Sequence, residues 1–449
     1  NTKNINKPPK DPNYVIDIND SIWFKTMLSL KAIADEKNIT YLHFDIHGMN
    51  DKSTPNDIEF GLKALNYYRP YQYILIKHLL KKEFNMINVS FGFNSDFQGW
   101  KPEAYTVTEQ GNILEFNSCQ IELSKEIRTK LKNDKELLNK FSNALSNVYN
   151  ALNNIKTTKP NIGIISIPVY SKLKQNVIEK DKDKDIQISE INSYISDNYL
   201  SFIKNKLNAN PITIPYNISN DKFIEIAKSL NGIIIPGGSY GNTNIENNNK
   251  PILLSFIKYI KNIFKLCKQI NDNDHFLPIM GICLGFQMLC LSELKTEQIL
   301  KDISSRKDGI IIKRYSNPGI CKCHLKRRFE QIINLPYKNK KLNFFYFSNE
   351  RIIPYKKNKL SHLDILAIYK NKKNNSIVCS VKHKEYPFVG YQFHPEKKTQ
   401  IKSEYINTFF KDIKDMFNLY NPSKLDNINC PKYITTYVNS KNIKYYIYN

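Results

Sequence analysis

The chain has 449 residues, 41% of them hydrophobic, and a formal net charge of +24. That length is too great for one compact core, so two domains are expected, and the apolar share excludes a chain without packed interiors. Eight unevenly spaced cysteines exclude a disulfide scaffold, and no apolar run reaches membrane-spanning length. The positive charge would suit an anionic partner. However, Lys and Asn gather in runs such as "EKDKDKD", "NIENNNKP", "PYKNKK" and "YKNKKNNS", none interleaved with aromatics. Solvated insertions are expected there, not a nucleic-acid platform.

Residues 1 to 20, with Pro8, Pro9 and Pro12, read as an extended lead-in, and the chain opens at Asn1 as a processed or trimmed polypeptide would. "IWFKTMLSLKAIADEKN" has helical spacing, and "ITYLHFDIHGM" reads as a strand ending at His47-Gly48. A helix near 65–83, a strand in "MINVSFGF" and another in "SCQIELS" follow. One long helix is expected over 124–154, with Ile127, Leu131, Leu138, Phe141, Leu145, Val148 and Leu152 at mostly three- and four-residue steps. "KTTKP" breaks that pattern, so a linker is placed at 155–160, dividing an α/β domain over 21–154 from a second domain over 161–449.

The second part alternates. Strands are expected in "NIGIISIPV", "NPITIPY", "GIIIPGGS" and "LPIMGI", with helices over 189–207, 220–230 and 251–270 between them. Continuous apolar strands separated by helices indicate a doubly wound, mostly parallel sheet buried on both faces. Further strands fit "LNFFYFS", "DILAIYK", "SIVCSVKH" and "FVGYQFH", and a helix fits 402–419. Cys321-Lys-Cys323-His324 lacks a second ligand pair at metal-binding spacing, so no zinc is expected there.

In "PIMGICLGFQML" a strand runs into Gly281-Ile282-Cys283-Leu284-Gly285 and a helical period follows. Ligands of such sheets bind beyond the carboxyl ends of the strands. A nucleophile there needs a sharp strand-to-helix turn, and flanking glycines remove the side chains that would crowd it. The helix aims its first N–H groups at the sulfur and favours the thiolate. The competing reading is a buried structural cysteine beside packing glycines. A cysteine nucleophile also needs a base. "GYQFHPEK" supplies His394 as that base, with Glu396 two residues on to orient its ring. Gly237 and Gly238 in "IIIPGGS" and the amide of Leu284 offer oxyanion donors, and Gln287 lies one turn into the helix.

The order P-G-G, then G-x-C-x-G-x-Q, then H-P-E resembles the class I glutamine amidotransferase superfamily. Within it, residues about 159–449 look like gamma-glutamyl hydrolase, from "KPNIGIISIPV" to the tyrosine-rich "YITTYVNSKNIKYYIYN". The resemblance implies removal of gamma-linked glutamates from folyl-polyglutamates without metal or organic cofactor. It assigns Cys283 as nucleophile, His394 as base, and Gly238 and Leu284 as oxyanion donors. It further implies a secreted or vacuolar compartment and a homodimer. The family's additional site histidine has no match: the region reads "LNFFYFSNERIIP". Two alternatives remain open, a glutaminase module of an amidotransferase and a degenerate anion-binding or scaffold protein. No phosphate loop of the G-x-x-x-x-G-K type supports the first.

The stretches "HFDIHGM", "NDIEFG", "INVSFGF" and "SCQIELS" are similar to the later part of N-formylglutamate amidohydrolases, relatives of zinc carboxypeptidases. That resemblance implies His47 as a zinc ligand, Asp45 orienting it, and Glu122 as the carboxylate that activates water. The family's earlier metal-ligand segment has no counterpart, and one histidine cannot hold a catalytic zinc. Zinc is therefore expected only of a more complete domain.

Overall fold

The computed structural model describes residues 14–37, 39–50, 54–94, 97–100, 104–153, 159–169, 177, 179, 192–238, 250–273, 275–293, 310–314, 319–325, 341–347, 350–354, 362–370, 376–397, 413–414, 416–418, 435–438 and 444–448. The strands between 310 and 354, and 366–370, are described by their backbone. The chain divides into two compact units, 1–156 and 157–449. No helix among the described residues is long and apolar enough to cross a membrane.

The first unit opens with helix α1 (Ile22–Lys37), followed by β1 (His43–Gly48), β2 (Ile58–Gly61), α2 (Lys63–Tyr68) and α3 (Pro70–Asn85). Then come β3 (Phe91–Phe93), α4 (Val107–Ile113) and β4 (Ser118–Leu123). The four strands form one sheet in the order β1-β4-β2-β3. Buried aromatics fill its core: Phe60 packs edge-on against Phe84, and Phe84 in turn against Phe141.

The long helix expected over 124–154 is two helices, α5 (Lys125–Asn133) and α6 (Lys135–Asn153). Asp134 adopts an extended backbone between them. Its carboxylate accepts from the Leu137 N–H at 3.0 Å, so it ends one helix and caps the next. Ser124 caps α5 in the same manner, accepting from Ile127 N–H at 3.1 Å. Phe141, Ala144, Val148 and Leu152 form the buried stripe of α6, whereas Leu138 is exposed.

In the second unit the apolar strands are β5 (Asn161–Ile165), β6 (Asn210–Ile214), β7 (Gly232–Ile235) and β8 (Ile279–Ile282). The helices between and after them are α7 (Asp197–Ser201), α8 (Asn220–Ala227), α9 (Lys250–Asp272) and α10 (Leu284–Ser292). Then follow β9 (Gly319–Leu325), β10 (Lys341–Phe347), β11 (Leu363–Lys370), β12 (Ser376–His383), β13 (Phe388–Tyr391) and β14 (Phe393–His394). Together they make a ten-stranded sheet, β6-β5-β7-β8-β13-β12-β11-β9-β10-β14.

The first five strands of that order run parallel. The chain starts at β5, moves out to β6, then crosses back to β7. The switch point thus lies between β5 and β7, where doubly wound sheets bind ligands. Ile233, Ile234 and Ile235 are fully buried, as a strand covered on both faces requires. Each contributes roughly 1.5–3 kcal/mol by leaving water. The expected parallel architecture holds for this half, which carries the nucleophile. The other five strands join antiparallel and extend the sheet to the β10–β14 edge.

The helix expected over 189–207 is also corrected. Residues Ser193–Ser196 are a strand, and the helix begins only at Asp197. The strand pairs with Lys444–Tyr448 on one side and Ile167–Pro168 on the other, in a separate four-stranded sheet. Its partners are remote in sequence, so local periodicity cannot reveal them. The helix expected at 402–419 falls largely outside the described residues; 413–414 and 416–418 within it are helical.

Candidate active site

Cys283 sits between β8 and α10 with φ 52° and ψ −98°, a left-handed backbone that a non-glycine residue adopts at a cost. Its N–H donates to the Tyr391 carbonyl of the neighbouring strand at 2.7 Å, and its carbonyl accepts from Gln287 N–H at 3.0 Å. The elbow is thus clamped from both sides. Gly285 makes the turn possible: a Cβ there would meet the Ile235 carbonyl oxygen at 2.0 Å. Helix α10 is therefore packed directly onto the end of β7.

His394, at the end of β14, hydrogen-bonds the Cys283 sulfur. Its other ring nitrogen, Nδ1, contacts Glu396 Oε1 at 2.7 Å, and that carboxylate is buried with it. Burial pulls the imidazole pKa down, but the charges of Glu396 and Cys283 outweigh it and raise the value to about 9. At neutral pH the ring is then an imidazolium lying between the Glu396 carboxyl group and the Cys283 sulfur. The three residues expected to carry the chemistry are brought together in this structure.

The backbone donors divide. Gly237 is buried beside the site: a Cβ would lie 2.9 Å from His394 Cε1 and 3.0 Å from Cys283 Cβ. Its N–H, however, donates to Tyr199 Oη at 2.7 Å, so it is not an open oxyanion donor. Leu284 is the first residue of α10, where an amide has no acceptor inside its helix. Gly238 lies against it, with a hypothetical Cβ 3.2 Å from Leu284 Cδ2. Leu284 and Gly238 remain the candidate oxyanion donors. Gln287 is buried and donates to Gln392 Oε1 at 3.4 Å, beside the sulfur.

Two residues of the site were not expected. Gln392, fully buried, places its Nε2 3.8 Å from Cys283 Sγ. Its signal was available, since it stands two residues before His394 in "GYQFHPEK". Tyr199, on α7, bridges to Gly237 and faces both Glu396 and Cys283; burial and those negative groups push its phenol far above its usual range. No motif marks it. The chain's last strand helps hold it, because Tyr446 Oη donates to Asp197 Oδ1 at 3.2 Å at the start of α7. The aromatics found where a further histidine was expected lie on β10, whose register sets Tyr346 opposite His394. Their side chains, like those of Cys321, Cys323 and His324, lie outside the described residues.

In the first unit His47, Glu122 and Glu59 are register partners across β1, β4 and β2. His47 Nε2 contacts Asp45 Oδ1 at 2.7 Å, and Thr108 donates to Asp45 Oδ2 at 2.9 Å. Burial acts to raise the Asp45 pKa, but these partners prevail and lower it. Glu122 is raised by burial, despite opposing effects from His47 and a 2.7 Å hydrogen bond from Gln120. Among the described residues no group of three or more His, Cys, Asp or Glu side chains is placed to hold a metal ion. A catalytic zinc needs three protein ligands, so this set does not fit one.

Comparison with known proteins bears on the second unit. Residues 194–413 match the family model "Glutamine amidotransferase class-I". Over 219 residues the chain is 27% identical to gamma-glutamyl hydrolase B of Dictyostelium discoideum, covering 46% of this chain and 59% of that protein. It is 25% identical over 218 residues to gamma-glutamyl hydrolase 1 of Arabidopsis thaliana, covering 46% and 56%. The chain thus spans somewhat over half the length of these relatives. Among solved structures it is similar to PurLQS from Thermotoga maritima, with TM-score 0.33, 16% identity, and coverage of 57% of this chain and 98% of that one.

Proposed function

We propose that the second unit hydrolyses γ-glutamyl bonds by a cysteine mechanism, with oligo-γ-glutamate chains such as those of folyl-polyglutamates as the substrate class. The observation that carries this reading is the buried chain Cys283–His394–Glu396, in which a strained elbow holds the sulfur against a charged imidazolium. The similarity to gamma-glutamyl hydrolases supports the choice of bond.

The Cys283 thiolate attacks the γ-carbonyl carbon, forming a C–S bond and moving the carbonyl π electrons onto oxygen. The Leu284 and Gly238 amides stabilise that oxyanion. As the carbonyl re-forms, the C–N bond breaks and His394 passes its proton to the leaving nitrogen. The free amine, glutamate or a shorter oligoglutamate, departs and leaves a thioester on Cys283. Water then attacks the thioester, giving one proton to His394, and the C–S bond breaks to release the γ-carboxylic acid, which loses its proton to solvent, and to restore the thiolate–imidazolium pair. Glu396 stays ionised throughout and keeps the ring oriented.

The test is product analysis with a γ-linked glutamyl oligomer and, separately, with free glutamine. The expected result is glutamate or oligoglutamate from the oligomer, with no release by Cys283→Ser. Ammonia from glutamine with no cleavage of the oligomer would instead identify a glutaminase. Neither product would leave a non-enzymatic protein.

A further inference from the structure

Four lysines, Lys258, Lys261, Lys265 and Lys268, follow one another on α9 at steps of three, four and three residues, which puts them on one face. They line a cleft of about 410 Å³ between α9 and the end of α10, with Phe264 in its wall and Glu293 at its edge. That volume lies within the range of small-ligand sites.

The acidic group at the edge does not cancel this charge. Glu293 is already satisfied by the protein: Lys268 Nζ lies 2.9 Å from its Oε1, and His383 Nε2 lies 3.5 Å from its Oε2. His383 accepts the N–H groups of Glu385 and Tyr386 at Nδ1, at 3.0 and 3.2 Å, which leaves its Nε2 to carry the hydrogen on the side of Glu293. Although burial opposes it, these partners hold the carboxyl far below its usual range. Lys268 also stands over the Tyr386 ring, 5.4 Å from its centre, and is fixed in place.

Lys258 and Lys265 form no ion pair with any described carboxylate. Lys261 is half-buried, and burial lowers its pKa; the charge of Glu293 opposes this and that of Lys268 adds to it. A partly desolvated ammonium among other cations is stabilised by an anion brought to it. Lysines are point charges without a planar fork, so they select charge density and not one acid geometry.

We propose that the α9–α10 cleft is a binding site for a compact, multiply charged anion, either of phosphate type or with clustered carboxylates. It is distinct from the Cys283 site. Cys283 precedes the nine residues of α10 and Glu293 follows them, so the two stand about 15 Å apart at 1.5 Å per residue.

Calorimetric titration of the full chain with inorganic pyrophosphate and, separately, with citrate tests this. At least one probe should bind saturably, and less tightly as salt is raised. Lys261→Gln/Lys265→Gln should weaken binding about tenfold or more, the equivalent of about 1.4 kcal/mol. Lys258→Gln/Lys265→Gln, which changes only exposed side chains, should weaken it in the same direction. Lys222→Gln/Lys228→Gln, on and beside α8, should leave it unchanged. Binding of pyrophosphate alone assigns a phosphate-type ligand, and binding of citrate alone a polycarboxylate. The proposal is overturned if neither probe binds, or if both cleft variants bind as the wild type does.

Discussion

The imidazole of His394 is placed where its charge state decides the chemistry. A pKa raised to about 9 means the imidazolium persists through neutrality and is lost as pH rises through that value. The proposed hydrolysis needs that proton for the leaving amine, so kcat/KM should fall on the alkaline side near pH 9. Glu396→Gln removes the leading charge that raises the ring and should move this limb to lower pH. An unchanged limb in a pH–rate profile of that variant would remove Glu396 from the role. Tyr199 gives a second expectation at this scale. Its hydroxyl is the acceptor for the buried Gly237 N–H, and a buried donor left unpaired costs about 1–3 kcal/mol. Tyr199→Phe should lower kcat roughly tenfold with little change in KM, since about 1.4 kcal/mol corresponds to a factor of ten. Steady-state kinetics with an unchanged kcat would leave Tyr199 as packing alone. Cys283, His394 and Glu396 could be read from the sequence because each lies in a short run whose glycines or proline serve the same geometry. Tyr199 could not, because it reaches the site through a strand pairing with the end of the chain.

The elements show where local pattern is enough and where it is not. Strands β5 to β8 and helices α8 to α10 follow from apolar runs and helical spacing, since each is buried by its immediate neighbours in the sheet. The helix expected over 124–154 divides because Asp134 offers its own carboxylate to the backbone, a competition that apolar spacing does not register. In the antiparallel half β10, β11, β12 and β14 were legible as strands, but β9 was not, nor its pairing with both β10 and β11. The elbow itself yields a prediction. Because the Gly285 site meets a backbone oxygen at 2.0 Å, a methyl group there must push α10 away from β7. Gly285→Ala should destabilise the second unit by about 1–3 kcal/mol, as overpacking does. It should also cut activity more than that loss explains, because Cys283 moves with the helix. Thermal unfolding and kinetics on the same sample check both; a variant with wild-type stability and turnover would contradict the tight elbow.

At the scale of the whole molecule, the two compact units carry separate sets of chemistry-bearing residues. Every group used in the proposed reaction lies between Tyr199 and Glu396, and none of its steps is assigned to the first unit. His47→Ala/Glu122→Gln should therefore leave glutamate release within about twofold of the wild type, the scale of surface effects under 0.5 kcal/mol, and a chelator should leave it unchanged. Loss of release in a folded double variant would place the essential groups in the wrong unit. The measurement that reaches the central claim most directly is detection of the acyl-enzyme. The full chain is mixed with a γ-linked glutamyl oligomer, quenched in acid during turnover, digested and weighed by mass spectrometry. A substrate-derived acyl group on the peptide containing Cys283, lost on treatment with hydroxylamine and absent from Cys283→Ser, is the predicted result. Release of glutamate at an undiminished rate by Cys283→Ser, with no acyl group on that peptide in the wild type, would contradict it.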